Sequence, residues 1–168
     1  LEVEGNLDLN DNAAFNGGDV IEVGTDLTVG DIDITFDGNI GLTSANASTV
    51  TLNRSLETSG DLTVSKAAAG ATITGGNSLT VSNVTVENPG TLTSANGGLE
   101  LDGSDVALEI GGNLNLNTDD VNGNTDNSIV GSGEVVLTSD GNIKDSGGNA
   151  PVLTNVRINN TTNTNDVV

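Results

Sequence analysis

Carboxylates and carboxamides are the only groups in this sequence numerous enough to suggest chemistry. The chain has no His, Cys or Tyr, so its many Ser and Thr hydroxyls lack the usual bases that would activate them. Lys66 or Lys144 could pair with a serine, but both lie among turn residues and read as exposed lysines. Carboxylate pairs such as Asp102 with Asp105, or Asp119 with Asp120, are what hydrolysis of a glycosidic bond requires. With 24 acids in 168 residues, however, close pairs arise by chance, and no Trp or Tyr is present to face a sugar ring. Catalysis is not expected.

Metal binding has a better candidate. In Asp119-Asp120-Val121-Asn122-Gly123-Asn124-Thr125-Asp126-Asn127, the residues Asp120, Asn122, Asn124 and Asp126 place side-chain oxygens at every second position. Calcium loops share that spacing, because Ca²⁺ takes six to eight hard oxygens at about 2.4 Å. The segment departs from the EF-hand loop, with Thr125 in place of the turn glycine and no Glu at the twelfth position. The competing reading is a long solvated turn of Asx residues. Calcium is therefore carried as the candidate cofactor, with Asp8-Leu9-Asn10-Asp11-Asn12 and Asp31-Ile32-Asp33 as lesser oxygen clusters.

The elements that must position these groups show themselves through repetition. A small turn residue followed by apolar-x-apolar recurs in Gly5-Asn6-Leu7-Asp8-Leu9, Thr25-Asp26-Leu27-Thr28-Val29, Gly60-Asp61-Leu62-Thr63-Val64, Asn77-Ser78-Leu79-Thr80-Val81, Gly98-Leu99-Glu100-Leu101 and Gly112-Asn113-Leu114-Asn115-Leu116. A variant copy, Gly38-Asn39-Ile40-Gly41-Leu42, fills the longest gap, and the mean spacing is about 18 residues. Shorter alternating runs lie between, such as Ile32-Asp33-Ile34-Thr35-Phe36, Val84-Thr85-Val86 and Val156-Arg157-Ile158. Alternation of period two marks strands with one apolar face, and no helical period persists over three turns.

Short strands separated by Gly/Asn/Asp turns at this period describe an all-β, parallel β-solenoid of about nine short coils. Leu7, Leu27, Leu62, Leu79, Leu99 and Leu114 are expected to form an inward core row, with Asp26, Thr28, Asp33, Asp61, Thr80 and Glu100 among the outward residues. The alternative is an antiparallel β-sandwich, against which stand only two aromatics, Phe15 and Phe36, and the likeness of the coils to one another. Residues 1–158 are expected to form the solenoid domain and residues 159–168 a polar tail or inter-subunit segment.

The units Asp31-Ile32-Asp33-Ile34-Thr35-Phe36-Asp37-Gly38-Asn39-Ile40 and Gly60-Asp61-Leu62-Thr63-Val64-Ser65 resemble the degenerate repeats of filamentous-haemagglutinin-like and autotransporter passenger domains. The resemblance is one of repeat style and extends over most of the chain. It implies a right-handed β-helix, secretion, and a role in adhesion or surface structure. That family's amino-terminal secretion module and carboxy-terminal membrane barrel have no counterpart in these residues.

Composition narrows the function further. The formal net charge of −20, from 24 acidic and 4 basic residues, excludes a nucleic-acid partner and disfavours anionic membranes. No apolar run reaches the ~20 residues of a membrane span, so membrane insertion is not expected. The sequence starts at Leu1 without a basic-then-apolar signal segment, and a mature product or an excised piece of something longer is expected. Acceptor triplets for glycosylation begin at Asn46, Asn53, Asn83, Asn159 and Asn160, as suits an extracellular surface protein. Threonine pairs Thr49/Thr51, Thr72/Thr74 and Thr91/Thr93 are unevenly spaced, which argues against an ice-binding array.

The expected function is an extracellular structural or adhesive module of a cell surface or filament. Its partners would be other copies of itself or neighbouring repeats of a longer chain, joined end to end by strand pairing, and surface glycans. A calcium-dependent polysaccharide-binding or polysaccharide-cleaving β-helix is the alternative.

Overall fold

The computed structural model describes residues 2–3, 7–9, 19–30, 32–43, 47–65, 70–87, 98–117, 129–145 and 153–159. Every regular element among them is a strand. The chain opens with β1 (Glu2–Val3), β2 (Leu7–Leu9) and β3 (Asp19–Val23). Coils of three strands follow: β4 (Asp26–Val29), β5 (Ile34–Phe36) and β6 (Gly38–Leu42); β7 (Ser48–Leu52), β8 (Leu56–Thr58) and β9 (Leu62–Ser65); β10 (Ala71–Gly75), β11 (Ser78–Val81) and β12 (Val84–Glu87). Next come β13 (Leu99–Asp102), β14 (Ala107–Ile110) and β15 (Leu114–Asn117), then β16 (Ile129–Gly131), β17 (Glu134–Leu137) and β18 (Ile143–Asp145), and finally β19 (Val156–Ile158).

Equivalent strands of successive coils pair in parallel and build three faces. The first face runs β2-β4-β7-β10-β13-β16, the second β5-β8-β11-β14-β17-β19, and the third β1-β3-β6-β9-β12-β15-β18. The molecule is a parallel β-solenoid, and the sandwich alternative is excluded because no antiparallel pair joins any of these strands. Coil length differs from the sequence expectation. The register partners Leu7, Leu27, Val50, Ile73, Leu101 and Gly131 lie 20, 23, 23, 28 and 30 residues apart, not about 18. The turn-apolar-x-apolar motif occurs at more than one corner of a coil, so counting motifs overcounts coils. The described strands give seven rungs on the third face and six on each of the others, in place of nine coils. Seven rungs at ~4.8 Å make a rod on the order of 30 Å long.

Alternation decides which side chains fill the rod. On the second face Ile34, Leu56, Leu79, Leu108, Val135 and Val156 share one row. On the third face Ile21, Ile40, Leu62, Val84, Leu114 and Ile143 do so. All but Val156 and Ile143 are buried. Each fully buried Leu, Val or Ile contributes on the order of 1.5–3 kcal/mol of transfer free energy. The leucines expected in a single row are divided among the faces: Leu7 pairs with Leu27 on the first, Leu99 occupies the neighbouring row there, Leu79 is on the second, and Leu62 and Leu114 are on the third. Of these Leu27, Leu62, Leu79, Leu99 and Leu114 are buried. The single row fails because the motif begins strands of all three faces.

Corners carry the Gly and Asx residues. Gly75, where the first face turns toward the second, has φ +115°, and a Cβ there would strike the Leu52 carbonyl of the coil below. That position requires glycine. The variation in coil length arises where the third face returns to the first: the return from β6 to β7 takes residues 43–47, whereas that from β15 to β16 takes residues 118–128.

Candidate functional site

Three groups of residues outside the apolar rows have enough geometry to be considered. The first is a ladder of Asx residues at the corner entering the third face. Asn39 Oδ1 accepts from the Asp61 N–H at 2.8 Å, and Asp61 Oδ1 accepts from Asn83 N at 3.1 Å and Asn83 Nδ2 at 2.8 Å. Asn83 Oδ1 accepts from Asn113 N at 2.8 Å, and Asn113 Oδ1 accepts from Asn142 N at 3.1 Å. Each rung's side chain thereby satisfies a backbone donor of the next coil, which the sharp corner removes from the strand ladder. Gly60 precedes Asp61 because a Cβ there would meet the Gly38 carbonyl and Asn39 Oδ1. The sequence signal was an Asx directly before apolar-x-apolar, visible at Asn39, Asp61, Asn83 and Asn113; at Asn142 only the first apolar residue, Ile143, is kept. Asp61, expected as free coat, belongs to this ladder.

The second group is the outward side of the second face near its last strand. Arg157 Nε donates to Glu134 Oε1 at 2.8 Å. The hydrogen bond from Arg157 holds the Glu134 carboxyl below its ordinary range, and Glu134 raises the Arg157 guanidinium. Arg157 is paired with Val136, an outward position that is nonetheless only 1% exposed. Arg157 thus stands one rung from that valine in register, and its guanidinium reaches the carboxylate. One rung below, Thr80 Oγ1 donates to Glu109 Oε2 at 3.2 Å.

The third group is the last rung itself. Ile143, Val156 and Ile158 continue inward rows, yet they are 44%, 39% and 49% exposed, whereas their partners one coil below, Leu114, Val135 and Leu137, are at most 5% exposed. No further strand covers them among the described residues.

The candidate calcium ligands Asp120, Asn122, Asn124 and Asp126 lie outside the described residues, as do Asp31, Lys66, Asp119 and Thr91/Thr93. Asp33 is exposed and accepts from Ser55 N at 3.1 Å, a turn contact between coils. Asp102 and Asp105 are both exposed, on β13 and in the turn that follows it. Among the described residues no group of three or more His, Cys, Asp or Glu could hold a metal, and no helix is long and apolar enough to cross a membrane. Thr49 and Thr51 stack in register under Thr72 and Thr74, since 23 residues is one full coil there. The next rung replaces them with Glu100 and Asp102, so the array ends.

Compared with protein families, with curated proteins and with solved structures, the chain matches none.

Proposed function

We propose that this chain is a non-catalytic, extracellular structural or adhesive module that builds length at a cell surface or in a filament by end-to-end strand pairing. The observation that supports this reading best is the last described rung, where the inward-row residues Ile143, Val156 and Ile158 are exposed while their partners one coil below are buried. An open solenoid end exposes unpaired N–H and C=O groups beside apolar side chains, and another rung of the same kind is what fits it. The outward surface of Thr, Asn and carboxylates supplies a hydrated coat along the sides.

The same coat opposes association of like molecules at a net charge of −20. Divalent cations such as Ca²⁺ would bridge acids of adjacent molecules, whereas Na⁺ would only screen them. Light scattering and electron microscopy in Ca²⁺, in EDTA and in NaCl of matched ionic strength test both parts. Rods longer than one molecule support the reading. A monomer in all three solutions overturns it, and equal assembly in EDTA removes calcium from it.

A further inference from the structure

The acceptor triplets for glycosylation are a motif that the assembly reading leaves unused, and their places in the fold separate them. Two lie wholly within the described residues, Asn53-Arg54-Ser55 and Asn83-Val84-Thr85. Asn83 belongs to the Asx ladder: its Nδ2 donates to Asp61 Oδ1 at 2.8 Å, and its Oδ1 accepts from Asn113 N at 2.8 Å. The rest of its triplet, Val84 and Thr85, is fixed in β12 between two neighbouring strands. Asn53 differs on each count. Its triplet fills the corner between β7 and β8, it is exposed, and its carboxamide makes no hydrogen bond among the described residues. The backbone there is nevertheless held, because Asn53 N donates to the Val29 carbonyl at 3.0 Å.

The neighbouring coils leave room around that side chain. Gly76 N makes the equivalent bond to the Leu52 carbonyl at 3.1 Å, and Leu52 is the register partner of Val29, so Gly76 occupies the Asn53 position one coil on. One coil back the position falls to Gly30, directly after Val29. Asn53 therefore stands between two glycines, and even a Cβ built on Gly76 meets nothing within 4 Å.

We infer that Asn53 is an acceptor for an N-linked sugar on the folded solenoid and that Asn83, in the same kind of triplet, is not. In the transfer Asn53 Nδ2 bonds to the anomeric carbon of an activated sugar and gives up one proton. The bond from that carbon to its phosphate leaving group breaks, and the electron pair departs with the phosphate. The product is a bulky, hydrated, neutral group on the side of the rod. The inference rests on the extracellular reading above, since such triplets are acceptors on surface loops of secreted proteins.

Transfer to the purified, folded chain tests it, using a soluble N-glycosyltransferase with a nucleotide-activated hexose and peptide mass spectrometry to locate the sugar. Peptides carrying either triplet give the unstructured reference. In the folded chain Asn53 is expected to be modified at least roughly tenfold faster than Asn83, which must first break its ladder contacts, whereas the peptides react alike. Asn53→Gln and Ser55→Ala are each expected to remove the sugar from that corner, which separates transfer from chance reaction at lysines. Far-UV circular dichroism establishes that both variants fold.

Equal modification of the two sites in the folded chain, an Asn53 that stays unmodified, or the same preference in the peptides overturns the inference. Assembly is read separately: a chain modified at Asn53 that never assembles loses the end-to-end reading and keeps the acceptor.

Discussion

Asn83 illustrates how a residue type with several readings is assigned by its contacts. In sequence it begins an acceptor triplet for glycosylation; in the structure its carboxamide donates to Asp61 and accepts from the backbone of Asn113. A glycan on Asn83 Nδ2 would crowd its contact with Asp61 in this part-buried corner, whereas Asn53, exposed at the corner after β7, is open to modification. Asn83→Ala is expected to destabilise the solenoid by about 1–3 kcal/mol, because the Asn113 N–H loses its acceptor in a partly buried corner. Asn53→Ala is expected to stay within ~0.5 kcal/mol of wild type, as an exposed side chain should. Urea denaturation followed by circular dichroism compares them.

Arg157 and Glu134 allow a pH argument at the same scale. The carboxyl of Glu134 is lowered in the folded state, so the pair stabilises the fold above the ordinary carboxylate range. That contribution is lost as pH falls through the lowered value. Arg157→Gln should therefore differ from wild type in denaturation midpoint at neutral pH by more than it does in strong acid. The part of the difference that persists in acid measures what Arg157 contributes apart from the ion pair. A difference that grows on acidification would contradict the pairing.

At the scale of elements, the strands were legible and their arrangement was only partly so. Period-two alternation located Leu62–Val64, Leu79–Val81 and Leu114–Leu116 as inward pairs without ambiguity, because a strand with one buried face has no other way to place them. What the alternation does not encode is the face. Leu62 and Leu79 look like successive members of one series, yet they lie on different faces, Leu62 on the third and Leu79 on the second. Distinguishing them needs the corner residues: Gly-Asx precedes Leu62 and Leu114, whereas Asn-Ser precedes Leu79. Return segments of unequal length between the third and first faces then conceal the true period. The calcium ligands proposed from sequence fall in one of those returns, outside the described residues, so their spacing remains the argument for them.

The corners also separate two neighbouring glycines. Gly75→Ala is expected to cost more than about 1 kcal/mol, because φ +115° is strained for alanine and the Leu52 carbonyl of the previous coil blocks its methyl. At Gly76 a methyl meets nothing within 4 Å, so Gly76→Ala should be tolerated. Equal losses in thermal unfolding at the two sites would refute the close stacking of coils described at this corner.

At the scale of the whole molecule, a thin core of aliphatic rows and a coat at net charge −20 act in opposite directions. The rows favour stacking along the rod axis, since most inward positions of one rung meet apolar residues of the next. The charge is expected to disfavour lateral approach more than axial approach, because the described outward positions carry the carboxylates and the last described rung carries the exposed Ile143, Val156 and Ile158. Growth along the axis, aided by Ca²⁺, is the expected outcome, with lateral bundling appearing only where divalent cation is abundant. X-ray diffraction from aligned assemblies formed in Ca²⁺ tests this most directly. Axial stacking of solenoids places the ~4.8 Å strand spacing on the meridian, parallel to the fibre. The same reflection on the equator, or a protein that stays monomeric and yields no fibre at all, would contradict end-to-end assembly.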